Sequence, residues 1–258
     1  SPSSAASDVY KRQYRNNPNL GIYGNSDKCA LLHGDAELFC WLEGDDALEP
    51  DVFKGVQEYI TINNVDVNEA VGIFCDYSSV NPMGEKFTHP NKKILSGKAP
   101  LSLFVRGLVS WRASFFSQKV INQFEPTILD RGLALAELLF DSQWFRNVKK
   151  IYYCPIKGSI YYTEIGVSTQ LGYQSSFKKE QALTKWTYFL ENGFAIDKMD
   201  EYWFKFKVLQ TKGLIEPTFG VLLKAIFFYF IGMYGYGFLH YSKFKSNFVP
   251  IVRCLIKK

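Results

Sequence analysis

Histidine and cysteine are too sparse and too scattered in this chain to build a metal centre of the zinc type. The three histidines, His33, His89 and His240, lie far apart, and the five cysteines, Cys29, Cys40, Cys75, Cys154 and Cys254, show no paired spacing. An odd number of cysteines, with Cys40 and Cys75 inside apolar runs, predicts buried free thiols in a reducing, cytoplasmic compartment rather than a disulfide framework. Charge of one sign is equally scarce. The 30 basic residues exceed the 25 acidic ones by five, and the excess lies in residues 241–258, which hold Lys243, Lys245, Arg253, Lys257 and Lys258 without an acid. The neutral remainder excludes a nucleic-acid-binding stripe. A basic tail beside apolar sequence points instead to the anionic, cytoplasmic face of a membrane. Internal repeats are absent.

What is present suits a folded enzyme-sized unit. The chain has 258 residues and 47% hydrophobic residues, enough for one domain with an appendage and too apolar for disorder. Residues 1–13 are small and polar without periodicity, and read as a non-native or disordered leader. Ser26 is a candidate cap for a helix through Leu32. Glu37 to Leu42 reads as a buried strand, and Val52, Phe53, Val56, Tyr59 and Ile60 repeat at helical spacing, predicting a helix over 50–62. Ala70 to Cys75 reads as a second buried strand. The alternation of helix and strand predicts an α/β fold with a mixed, mostly parallel sheet. Residues 77–100 read as a long loop, and Asp130 to Phe140 as a helix. Lys150–Pro155 and Ile160–Glu164 read as two strands. Beyond residue 170 the pattern turns helical, with helices over 179–192 and 199–210. Phe219 to Leu239 is apolar apart from Lys224, and three readings stand: a spanning helix, a helix lying in the interface, and a helix packed on the catalytic domain.

The most informative segment is Trp41-Leu42-Glu43-Gly44-Asp45-Asp46. An apolar strand that delivers three acids to its own tip suits a divalent cation bridging a diphosphate, because ligands of open α/β sheets bind at strand ends. A solvated turn is the plain alternative. Arg106 and Arg112 are candidate diphosphate contacts, with surface roles as the alternative.

Three segments in order carry a resemblance. Asn19-Leu20-Gly21-Ile22-Tyr23-Gly24-Asn25, then Ala30-Leu31-Leu32-His33-Gly34-Asp35, then Trp41 to Leu48 with the acidic run, resemble the family 2 glycosyltransferases of the GT-A fold. Gly107 to Phe116 with Arg112, Pro126 to Phe140, and Tyr161-Tyr162-Thr163-Glu164-Ile165-Gly166-Val167-Ser168 continue it. Residues 14–170 are covered.

The resemblance implies a GT-A (Rossmann-like) domain over 14–170, lacking its first βαβ portion and truncated at the N-terminus, followed by a helical appendage over 171–258. It implies inverting glycosyl transfer from a nucleoside-diphosphate sugar to a saccharide or lipid-linked saccharide in cell-surface polysaccharide synthesis. Asp45 and Asp46 match the metal-binding acids and imply Mg²⁺ or Mn²⁺. Glu43, Asp45, Asp46 and Arg112 fall on the donor side. Glu43 stands where the family usually has Asp. Asp130 matches the general base, with Leu129 where its Glu neighbour usually stands; an ordinary helix cap is the other reading of Asp130, and Glu125 and Glu137 are alternative bases. A peripheral membrane contact through 219–258 suits a lipid-linked acceptor. The truncation implies weak or absent activity for these residues alone. Two further readings remain open, a non-catalytic membrane-associated scaffold and a metal-dependent nucleotidyltransferase.

Overall fold

The structure, a computed structural model, describes residues 15, 20–32, 34–42, 46–89, 100–107, 109–110, 112–125, 142–163, 176–234 and 241–256. The protein is α/β, and its described residues form a six-stranded sheet with flanking helices. The strands are β1 (Leu38–Cys40), β2 (Ala47–Leu48), β3 (Val71–Val80), β4 (Lys86–His89), β5 (Ser114–Ser117) and β6 (Lys150–Tyr162). The strand order is β1-β5-β3-β6-β2, and β4 also pairs with β3.

β3 organises the sheet because its run of apolar residues buries both faces. Val71, Ile73 and Cys75 face α2 (Val52–Ile62), which contributes Val52 and Val56 to that core layer, while Phe74 faces the second layer. One edge of β3 pairs along its length with β6, and the other pairs first with β5 and then with β4. Among the described ladders only β3–β6 is parallel; the β1–β5, β2–β6, β3–β4 and β3–β5 ladders are antiparallel. The described sheet is therefore mixed and not mostly parallel. Two tight turns flank β3. Ala113 takes a left-handed φ of 58° and turns the chain into β5, and Asn81 closes a hairpin by accepting from the Met83 and Glu85 amides. The predicted loop after residue 77 is thus, as far as His89, the end of β3 and a hairpin.

β6 runs unbroken through Pro155, where two strands are expected from the sequence. Its register against β3 slips between Cys75 and Tyr77, so that Cys75 meets Cys154, Asp76 meets Lys157 and Tyr77 meets Ser159. Proline has no amide proton for a ladder, and the irregularity takes Pro155 out of the pairing. Gly158 follows it because a side chain would not fit: an added Cβ would lie 2.5 Å from the Ala113 Cβ. β1 is half-buried rather than buried, because it ends the strand order with β5 as its neighbour. The first described helix, α1 (Gly21–Leu31), starts upstream of Ser26, so Ser26 lies within it and does not cap it. The 130–140 helix lies outside the described residues.

The second core layer joins sheet and C-terminal helices. Phe74 and Phe116 share one buried cluster with Phe145, Phe189, Phe204, Phe206, Tyr229 and Phe248. Phe145, in helical residues 142–147, packs on Phe74 at 5.6 Å and on Phe104 of α3 (Pro100–Val105) at 4.2 Å. After α4 (Gln118–Ile121) come α5 (Ser176–Glu191), α6 (Lys198–Ile215), α7 (Phe219–Tyr234) and α8 (Tyr241–Ile256). α6 begins where it does because Asp197 caps it, accepting from the Asp200 amide at 2.9 Å, with Asp200 and Glu201 in the first turn. α8 is an amphipathic helix where the sequence shows only a basic tail. Among the described residues no helix is long and apolar enough to cross a membrane, so the spanning reading of 219–239 finds no such helix in α7.

Arg106 and Asp200 close this layer. Arg106 Nη1 donates to Asp200 Oδ1 at 2.5 Å, and the side chains are 0% and 1% exposed. Asp200 Oδ2 accepts from Ser102 Oγ at 2.6 Å and from the Ile196 amide at 3.1 Å, while Arg106 Nε and Nη2 both donate to the Gly232 carbonyl at 3.0 Å. Arg106 is therefore a core residue and not a diphosphate contact. Removing one member strands the other in the interior, so Asp200→Ala lowers the unfolding free energy by about 3–5 kcal/mol. Urea unfolding checks this, and Asp200→Ala at wild-type stability overturns it.

Candidate functional site

The acidic strand tip is described only in part. Glu43 and Asp45 lie outside the described residues, as do Asp130, Glu137 and the segment 164–170. Asp46 is described, and local pairing positions it. It immediately precedes β2, where Ala47 faces Ile160 and Leu48 faces Ser159, so the same register sets Asp46 beside Tyr161.

Arg112 reaches the same place from the opposite side of the sheet order. The Ser110 hydroxyl accepts from the Arg112 amide at 3.2 Å, and the Ser110 carbonyl accepts from the Ser114 hydroxyl at 2.8 Å. With the Ala113 carbonyl bonded to the Cys75 amide at 3.0 Å, this turn sets Arg112 level with the bulge in β3. Its Nε lies 3.7 Å from Asp46 Oδ2, with the Asp46 side chain only 3% exposed. Its guanidinium carbon stands 4.1 Å from the centre of the Tyr161 ring. The cation is thus held by a carboxylate and an aromatic face, which fixes the plane of its donor fork.

Tyr77, His89 and Ser79 extend the cluster along β3 and β4. Tyr77 and His89 are cross-strand partners with rings stacked at 4.7 Å, and the Ser79 hydroxyl is hydrogen-bonded to His89 Nε2 at 2.7 Å. Burial raises the Tyr77 hydroxyl above its ordinary pKa, the positive charge of Arg112 lowers it in part, and Tyr161 raises it. That opposing effect of Arg112 ties Tyr77 electrostatically to the Asp46–Arg112 pair. Strand alternation puts Tyr77 and Ser79 on one face, and the hairpin brings His89 over them. Sequence spacing alone left His89 isolated; the Asn81–Gly84 turn was the available signal. Glu49, the acid after β2, turns away to bond Lys86 Nζ at 2.6 Å and to accept from Ser78 Oγ at 3.1 Å. Glu125 is exposed beyond α4, its backbone held by the Gln143 side chain.

Among the described residues no group of three or more His, Cys, Asp or Glu side chains could hold a metal ion by itself. Asp46 does fit the looser arrangement in which Mg²⁺ takes one or two carboxylates and completes its shell with water and substrate phosphates. The nearby Arg112 fork suits the same phosphates. All five cysteines are free, but the expectation of buried thiols holds only for Cys75 and Cys154, partners across β3–β6; Cys40 and Cys254 are half-buried and Cys29 is exposed, and burial pushes the Cys40 thiol up to about 11.

No family model matches the chain, and no curated protein matches it significantly.

The bulge creates one further polar contact. Tyr153 donates its hydroxyl to both oxygens of Asp76, at 2.9 and 3.1 Å. Burial and this bond raise the Tyr153 pKa to about 12. A tyrosine whose folded pKa is raised stabilises the fold fully below its unfolded value of about 10 and loses that contribution as pH rises through the folded value. Tyr153→Phe is expected to destabilise by about 1 kcal/mol at neutral pH. The gap to wild type shrinks between pH 10 and 12, the window set by the raised tyrosine. Denaturation midpoints across that range test it, and a gap independent of pH contradicts it.

Proposed function

We propose that the protein is an inverting glycosyltransferase that moves a sugar from a nucleoside-diphosphate sugar to a saccharide or lipid-linked saccharide acceptor. The observation that carries this reading is the Asp46–Arg112 pair seated on Tyr161. It gathers a carboxylate for a divalent cation, a planar donor fork for a diphosphate and an aromatic surface. The ordered resemblance of residues 14–170 to the family supports the same reading.

In this reading Asp46, with Asp45, would hold Mg²⁺ or Mn²⁺. When bound, that ion supplies positive charge against the departing diphosphate. Arg112 orients the diphosphate through its fork, and Tyr161 keeps the guanidinium plane from rotating. Asp130 accepts the proton of the acceptor hydroxyl as that oxygen attacks the anomeric carbon. The bond from that carbon to the phosphate oxygen breaks, its electron pair leaves on the nucleoside diphosphate, and the anomeric configuration inverts.

Calorimetric titration with a panel of nucleoside diphosphates, with Mn²⁺ and with chelator, tests the reading. Metal-dependent binding of one of them is expected, weakened about tenfold or more by Asp46→Asn through loss of a charged contact. Asp130→Asn keeps that binding and lowers transfer by roughly 10²–10⁴-fold, the worth of a positioned base. Metal-dependent binding that survives Asp46→Asn unchanged, or the absence of any such binding, overturns the site. Release of pyrophosphate in place of a nucleoside diphosphate would identify nucleotidyl transfer instead.

A further inference from the structure

α7 is anchored on one side and bare on the other. Leu222, Ala225, Tyr229 and Met233 are buried against the core. On the opposite face Phe219, Leu223, Phe227 and Phe230 follow one another at helical spacing and are 67%, 51%, 58% and 42% exposed. Four large apolar side chains in one exposed row are not explained by the packing of α7, whose inner face is already full.

α8 continues the row. It lies antiparallel to α7: Phe244 packs on Phe230 at 5.8 Å, Phe248 on Tyr229 at 5.3 Å, and Ile251 meets Val221 around Gly213. The end of α8 therefore sits by the start of α7. There Val252 and Ile256 are exposed, as is Ile215 at the end of α6. Within residues 217–258 the charges have one sign, and the nearest acid in sequence is Glu216, exposed beside Ile215. Residues 217–258 contain no Asp or Glu, and their charged residues are Lys224, Lys243, Lys245, Arg253, Lys257 and Lys258. Lys224, Lys245 and Arg253 are exposed.

We infer that α7 and α8 dock the protein onto the surface of an anionic lipid bilayer, with the Phe219–Phe230 row in the headgroup–acyl boundary and the basic residues on lipid phosphates. Charge selects this occupant. A second copy placed on the same face by a twofold axis would bring lysine and arginine against their own counterparts, which opposes association. A bilayer with acidic headgroups supplies the missing negative charge, and each basic residue near such a surface adds to the attraction. Phenylalanine and leucine on one face with lysine and arginine flanking them is the composition of a helix lying in the interface. Among the described residues no helix is long and apolar enough to cross a membrane. The inference stands independently of the glycosyl-transfer reading, because none of these residues belongs to the Asp46–Arg112 site.

The test is co-sedimentation of the full chain with vesicles of phosphatidylcholine alone and of phosphatidylcholine mixed with phosphatidylglycerol. Binding to the mixed vesicles, weakened by added salt, is expected. Leu223→Glu/Phe227→Glu, at exposed positions, reduces binding about tenfold or more by removing apolar insertion and adding repulsion. Lys224→Glu, a milder exposed change, reduces it by several-fold. Far-ultraviolet circular dichroism and the urea midpoint establish that both variants are folded. No vesicle binding, equal binding to both vesicle types, or binding unchanged in both variants overturns the inference. So does a concentration-dependent dimer that the double variant dissociates while the parent ignores vesicles.

Discussion

The buried pair of Arg106 and Asp200 is the contact on which the placement of α3, α6 and α7 against one another depends. Two charges taken out of water are costly, and their mutual attraction offsets that cost only if the remaining donors and acceptors are satisfied. Here they are distributed across the layer: Ser102 on α3, Ile196 before α6, and the Gly232 carbonyl on α7 all bond to the pair. Trp203 adds to it, donating to the Val105 carbonyl at 2.9 Å with its ring 5.5 Å from the Arg106 guanidinium carbon. An apolar contact would hold these helices together in many relative positions. A network with fixed donor directions holds them in one. Gly232 enforces the same geometry sterically, since an added Cβ would lie 2.9 Å from the Trp203 amide nitrogen.

A second constraint shapes the other end of the sheet. Pro155 cannot donate to the ladder, so β6 slips against β3, and Gly158 lets the chain pass close to Ala113. The slip lies at Asp76, where Tyr153 binds its carboxylate, and one residue before Tyr77. The turn through Ala113 sets Arg112 level with it. A local defect in hydrogen bonding thus brings polar side chains together beyond the apolar first half of β3, Val71–Cys75.

The two halves of the protein also differ in what their surfaces offer. The sheet end gathers a cation, a carboxylate, two tyrosines and a histidine. The α7–α8 face offers exposed phenylalanines among lysines and an arginine. Arg106–Asp200 bonds to α7 on the helical side, and the Asp46–Arg112 pair lies on the sheet side.

The sequence by itself determined those features that rest on neighbouring residues. The apolar face of α2 was legible from the spacing of Val52 and Val56, the first half of β3 from the apolar run Ala70–Cys75, and α6 as a helical stretch beginning near residue 199. Free cysteines followed from their spacing, and Asp46 and Arg112 were legible as candidates from residue type and position. The tertiary structure alone decided strand direction, the union of two strand segments into β6, the burial of Arg106 and the approach of His89 to Tyr77. It also decided that Asp46 and Arg112 meet. Periodicity reports which side of an element is apolar, because that depends on residues a few positions apart. Ladder direction, register and the partner of a buried charge depend on groups such as Arg106 and Asp200, separated by 94 positions and brought together only by the closing of the core.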